Sequence, residues 1–227
     1  MKKVILAFAA LAVLCSCNFS MNLGNAKRII CRGDVEKRPF DLTDFEKIVL
    51  NGAADLKYST DETYSVVVEA NAEVFQHLNY RVEEGVLILE TKYKVQPIAE
   101  TFDIYVSSPV LQKLTINGAS EASVSRIESE QDLIIGVNGS AQCELKDINV
   151  PSLTFTVNGA GELDATRLQV GKIYVNVNGA GDVKIAGSAD YASFSVAGAG
   201  DIDARELDCA RIDRSTAGAA RIRTKQD

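Results

Sequence analysis

Val137-Asn138-Gly139-Ser140, Val157-Asn158-Gly159-Ala160 and Val177-Asn178-Gly179-Ala180 are one phrase returning at an interval of twenty residues. Read outward, it stands upstream as Ile116-Asn117-Gly118-Ala119. Downstream, with Ala in place of Asn, it stands as Val196-Ala197-Gly198-Ala199 and Thr216-Ala217-Gly218-Ala219. The successive steps are 21, 20, 20, 19 and 20 residues. A period this regular marks a stacked architecture in which each unit buries its apolar face only against its neighbours.

Aligned on the phrase, the units form columns. Three positions before the Asn stand Ile48, Leu114, Ile135, Phe155, Val175 and Phe194, and one before it stand Leu50, Ile116, Val137, Val157, Val177 and Val196. Five after it stand Leu56, Ala122, Cys143, Leu163, Val183, Ile202 and Ile222. Each column is apolar where period-two alternation points a side chain inward. The pattern predicts an all-β fold: a parallel β-helix of about 20 residues per coil, with two or three short strands in each. Asn-Gly also suits type I′ hairpins, which would give an antiparallel meander. Small residues after every Gly argue instead for a tight corner repeated coil on coil, and the aligned Asn117, Asn138, Asn158 and Asn178 are expected to form a hydrogen-bonded side-chain ladder.

The first coil runs from Phe40 to Tyr58 with Asn51-Gly52 at its corner. A strand-rich insert follows before Pro109 restarts the repeat. In it, Tyr64–Val68, Tyr80–Val82, Val86–Leu89 and Phe102–Val106 alternate as strands, Glu84-Gly85 reads as a tight turn, and Asn71 reads as the N-cap of a short helical segment carrying His77. At the other end Arg214 and Thr216 replace core residues, as expected of a terminal coil that nothing covers.

Residues 1–16 read as an export leader: Lys2-Lys3, an apolar run from Val4 to Leu14, then a small Ser16 before Cys17. Leu14-Cys15-Ser16-Cys17 resembles a bacterial lipobox, which implies lipidation of Cys17, attachment to membrane through that anchor and, with Asn18 following, an outer-membrane location in the cell envelope. Residues 17–39 read as a tether with an early strand near Ile29-Ile30-Cys31, and residues 40–227 as the head.

The chain is acidic, and its net charge falls from −7 to −9 once Lys2 and Lys3 leave with the leader. That balance opposes binding to nucleic acid. There is no Trp, which weakens a sugar-stacking cleft, and His77 is the single imidazole. It lacks the companions of a triad or metal motif and reads as an ordinary half-buried residue. Cys143 and Cys209 fall on inward columns and read as small buried hydrophobes rather than reactive thiols.

The outward positions are rich in carboxylates: Asp55, Glu121, Glu162, Asp182 and Asp201 on one line, with Glu144, Asp164 and Asp203 on the next. Asp201 and Asp203, about 7 Å apart along a strand, match the spacing of an inverting glycosidase pair. A glycan-cleaving surface enzyme is therefore the alternative to a binding protein. Asp appears only once per corner and the period is not that of calcium-binding nonapeptides, so the sequence predicts a solvated acidic face without metal or other cofactor.

Phe45-Glu46-Lys47-Ile48 leading to Asn51-Gly52-Ala53-Ala54-Asp55, the insert, Pro109 to Ala119, and then repeated Asn-Gly-Ala-Gly-Asp/Glu coils together resemble the DUF2807 family, the head GIN domain of auto-transporter adhesins. The resemblance covers roughly residues 40–224. It implies a right-handed β-helix head and an adhesin-like role, and it transfers no catalytic or binding residues. The expectation is an exported, lipid-anchored, non-enzymatic binding or scaffold module. Its partners would be a surface glycan or protein, and oligomer formation is left open.

Overall fold

The structure, a computed structural model, describes residues 27–93 and 95–225. The leader and Cys17 lie outside the described residues. The elements are β1 (Lys27–Ile30), β2 (Val35–Phe40), β3 (Lys47–Gly52), β4 (Asp55–Thr60), β5 (Ser65–Asn71), a 3-10 turn (Ala72–His77), β6 (Arg81–Glu83), β7 (Val86–Glu90), β8 (Val95–Ile98) and β9 (Phe102–Ser108). There follow β10 (Lys113–Gly118), β11 (Glu121–Glu128), β12 (Leu133–Gly139), β13 (Gln142–Gly159), β14 (Glu162–Gly179), β15 (Asp182–Gly198), β16 (Asp201–Gly218) and β17 (Arg221–Thr224).

From β10 onward every pairing is parallel, and each strand meets the equivalent strand of the next coil. Val137 pairs with Val157 and Val157 with Val177, while Cys143 pairs with Leu163 and Leu163 with Val183. The fold is thus a β-helix in the register that the Asn-Gly phrase predicts. The inward columns are buried throughout, from Ile48 and Leu114 to Phe194 and from Leu56 to Ile202. A buried aliphatic side chain contributes about 1.5–3 kcal/mol, so a coil becomes stable once a neighbour covers it.

Two backbone devices turn the chain within a coil. The corner glycines, among them Gly118, Gly139, Gly159 and Gly179, have φ between 131° and 140°. A Cβ on Gly159 would stand 2.3 Å from the carbonyl oxygen of Gly139, and that oxygen accepts the Ala160 N–H at 2.9 Å. A second bend is made by Arg126, Asp147 and Arg167, all left-handed with φ of 53–58°. The coil of nineteen residues dispenses with this bend residue. The register shifts between Ala165 and Leu168, and Gly187, at φ 139°, stands opposite Leu168 and Leu207.

The insert is more than a decoration. β7 lies parallel to β3, with Leu87 beside Ile48 and Leu89 beside Leu50, and β9 lies parallel to β4, with Ile104 beside Leu56. The insert therefore builds one further coil on the far side of the first, so the spatial order of coils is not their chain order. The stack then ends by changing its pairing: β6 is antiparallel to β7, β5 to β9, and β2 to β5. Glu84 and Gly85 both have positive φ, as a type I′ turn between β6 and β7 requires.

Within the stretch expected to hold a tether and an early strand near Ile29-Ile30-Cys31, the described residues form β1 (Lys27–Ile30) and β2 (Val35–Phe40). β2 is the outer strand of the main sheet, and Pro39, which has no N–H to give, is tolerated because it sits on that edge. β1 pairs parallel with β8 in a separate two-stranded sheet. Asn71 occupies the N-cap position without capping. Its amide donates to Gly33 O and its carbonyl accepts the N–H groups of Glu100 and Thr101, so it ties three segments together.

Candidate functional site

The corner side chains form a directed chain. Asn178 Nδ2 donates to Asn158 Oδ1 at 3.0 Å, Asn158 to Asn138 at 2.9 Å, Asn138 to Asn117 at 2.8 Å and Asn117 to Asn51 at 2.8 Å. Asn51 then donates to the Glu90 carboxylate at 3.2 Å, which also accepts from Asn79 and Arg81. Asn158, Asn138, Asn117 and Asn51 each use one donor and one acceptor along the row, and the carboxylate at its end polarises it. Glu90 is the corner residue of the coil built by the insert, where no Asn-Gly phrase announces it.

Beside the terminal end of this ladder, the segment from Thr91 to Phe102 folds over the corner and leaves a groove of about 710 Å³. Its floor is apolar, with Leu50, Ala54 and Leu89 from the core and the rings of Tyr80 and Phe102. Asn138, Ser140, Lys92 and Gln96 supply polar groups around it. The small residues following each corner Gly divide their work here. The first, such as Ala53, Ala119 and Ser140, is exposed, whereas the second, such as Ala54 and Ser120, is buried. Phe40 stacks on Tyr80 with 5.3 Å between ring centroids. The Tyr80 hydroxyl is buried with no partner among the described residues, and burial pushes its pKa up.

The outer face carries the carboxylates in the lines that the alignment sets: Glu162 pairs with Asp182, and Asp182 with Asp201. Some of its groups pair locally. Lys57 reaches Asp103 at 3.1 Å, Gln142 donates to Glu162 at 3.1 Å, and the Asp182 carboxylate accepts the Asp201 N–H at 3.3 Å. A shallower depression of about 390 Å³ runs over Asp55, Lys57, Glu121 and Glu144.

Asp201 and Asp203 are both held by arginines. Arg223 meets Asp201 at 3.2 Å, and Arg205 grips Asp203 through two bonds of 2.9 and 2.5 Å. The Arg205 guanidinium lowers the Asp203 pKa to about 2. A glycosidase acid needs a carboxyl whose pKa is raised, so this environment polarises Asp203 in the opposite direction.

His77 ends the 3-10 turn with its Nε2 buried and without a partner among the described residues. Cys31 and Cys143 are buried free thiols, and burial raises Cys143 to about 12. Cys209 differs from the expectation for its column. It is only half-buried, because β17 pairs with Asp201–Ala204 and does not extend over Cys209. Among the described residues no three His, Cys, Asp or Glu side chains converge as a metal site, and no helix is long and apolar enough to cross a membrane.

Residues 44–226 match the family described as "Putative auto-transporter adhesin, head GIN domain" (DUF2807). The chain belongs to this family. Similar solved structures share the fold. One, from Parabacteroides distasonis and described as a "putative lipid binding protein", is 21% identical with a TM-score of 0.78, over 87% of this chain and 99% of the other. A "putative adhesin" from the same species is 21% identical with a TM-score of 0.77, over 87% and 84%. Another from Bacteroides fragilis is 14% identical with a TM-score of 0.62, over 86% and 99%. At these identities the likeness concerns the fold. No curated protein matches the sequence.

Proposed function

We propose that this head GIN domain is a non-catalytic binding module of the adhesin kind, exported and held in the cell envelope, at the outer membrane, by a lipid on Cys17. The observation that carries the reading is the contrast between its two concave features. The depression on the outer face is lined by Asp55, Glu121, Glu144, Glu162 and Asp164, with Lys57 paired to Asp103, whereas the corner groove offers an apolar floor with a few polar groups at its rim, the usual make-up of a ligand site. That floor suits a ligand bearing an apolar segment, such as an exposed peptide on a protein partner, better than a bare sugar chain. The β-helix behind it is a rigid support, since every coil is locked to its neighbours by register.

The test is binding of the fluorescent chain to whole cells and to protein and glycan arrays, beside an Ala119→Trp variant. Ala119 is exposed at the corner and lines the groove, so an indole there fills the groove without entering the core. The expected result is binding by the native chain and at least tenfold weaker binding by the variant. Equal binding by both would overturn the groove as the site.

A further inference from the structure

The large exposed apolar side chains are not scattered. Of the five among the described residues, Ile30 (63% exposed), Tyr93 (86%) and Ile98 (45%) belong to the small β1–β8 sheet and the turn that leads into it. Ile30 pairs with Ile98 and Arg28 with Gln96, so these four share one face of the sheet, and Ile29 on the opposite face packs against the core. Among the described residues that sheet holds β1 and β8 alone, and Ile30 and Ile98 on its outward face are exposed. Around it stand exposed Lys27, Arg28, Arg32 and Lys92. The Glu73 carboxylate accepts the Arg32 N–H at 2.8 Å.

Three independent facts give this face a direction. It sits on the segment joining β7 to β9, at the capped end of the stack. The opposite end carries the last coil. The chain enters it from the expected anchor, and ten residue steps from Cys17 to Lys27 reach at most about 35 Å. Its charge is also opposite to that of the molecule: β1 carries Lys27 and Arg28 and no carboxylate, in a chain of net charge −7.

We propose that the outward face of the β1–β8 sheet is a membrane-docking surface that seats the head on an anionic bilayer. Ile30, Ile98 and Tyr93 enter the interfacial layer while Lys27, Arg28, Arg32 and Lys92 meet lipid phosphates. Apolar side chains ringed by lysine and arginine are the composition of an interfacial anchor, and a single weak anchor gains residence when a second, electrostatic one adds to it. The acidic coils are repelled by the same surface, which turns the stack and its last coil away from it. The inference rests on the lipid-anchor reading for its biological setting, but the docking itself is independent of acylation.

The experiment uses the unacylated chain from residue 18, which retains every described element, with sedimentable vesicles of phosphatidylethanolamine and phosphatidylglycerol or of phosphatidylcholine alone. The expected result is binding to the anionic vesicles only, weakened by salt. Arg28→Ala with Lys92→Ala should weaken it roughly 30-fold, at about one charge's worth each. Ile30→Ser with Ile98→Ser should weaken it at least tenfold, and Arg221→Ala with Lys225→Ala at the opposite end should not. Circular dichroism of each variant confirms folding. Absence of binding by the native chain, equal losses at both ends, or a dimer that buries Ile30 in sedimentation would overturn the proposal. Failure of Cys17 to take up lipid in cells would instead overturn the anchor and leave vesicle binding as it is.

Discussion

Replacing Gly159 with Ala tests the corner, because a single methyl group meets two separate obstacles there. The residue has φ 135°, a conformation that L-residues adopt at a cost of about 1–3 kcal/mol. Its new Cβ would lie 2.3 Å from Gly139 O, 3.1 Å from the carbonyl carbon and 3.2 Å from the amide nitrogen, so the obstacle is backbone of the neighbouring coil. Moving that carbonyl away sacrifices its bond from the Ala160 N–H, worth about 1 kcal/mol. The expected loss is therefore about 2–4 kcal/mol. Gly136→Ala is the matched control. Gly136 lies within β12 at an ordinary φ, and nothing stands within 4 Å of its Cβ position. The change removes only unfolded-state freedom and should stabilise by about 0.5 kcal/mol. Urea denaturation of the three proteins gives both values from one set of curves. A loss below about 0.5 kcal/mol at Gly159, or the same sign at both sites, would show that the corner does not stack as described.

Val157 is fully buried between Val137 and Val177, so Val157→Asp should cost several kcal/mol, while Thr156→Asp, one residue along and facing outward, should cost little; equal losses in thermal melts would refute the register. Asp203 has a depressed pKa in the fold, from 3.8 to about 2, so its stabilisation is present above that range and is lost as pH falls through it. The native protein should thus lose more stability than Asp203→Asn between pH about 4 and about 2, measured by urea midpoints, and parallel losses would contradict the Arg205 pairing. Cys17→Ala should abolish palmitate labelling and detergent-phase partitioning in cells, and a variant that still does both would refute the anchor.

Much of the architecture is legible because a stack repeats its chemistry. Once Asn138, Asn158 and Asn178 are aligned, Val137, Val157 and Val177 fall into contact without further knowledge. The readable part ends where the repeat ends. Val86-Leu87-Ile88-Leu89-Glu90 occupies the place of Lys47-Ile48-Val49-Leu50-Asn51, but it has Glu where the phrase has Asn-Gly, so neither its coil nor its role as the ladder's terminus stands out. β2 hides among Glu36, Lys37, Arg38 and Pro39, a composition that suits an edge and reads as a tether. β8 is short and contains Pro97, and among the described residues it pairs with β1 alone. Cys209 has the sequence position of a core residue and the exposure of an end, since burial in a stack depends on whether another coil follows. The groove was not legible at all, because it forms where the Thr91–Phe102 segment crosses residues from three coils far apart in sequence.

On the proposed function this head binds through its corner groove and performs no chemistry on its outer face. The most direct measurement takes the native chain, Ala119→Trp and the double variant Asp201→Asn, Asp203→Asn through one assay of cell-surface binding and release of soluble glycan. Binding should be lost only on filling the groove, and none of the three should release glycan. Glycan release by the native chain that disappears in the double variant would contradict it.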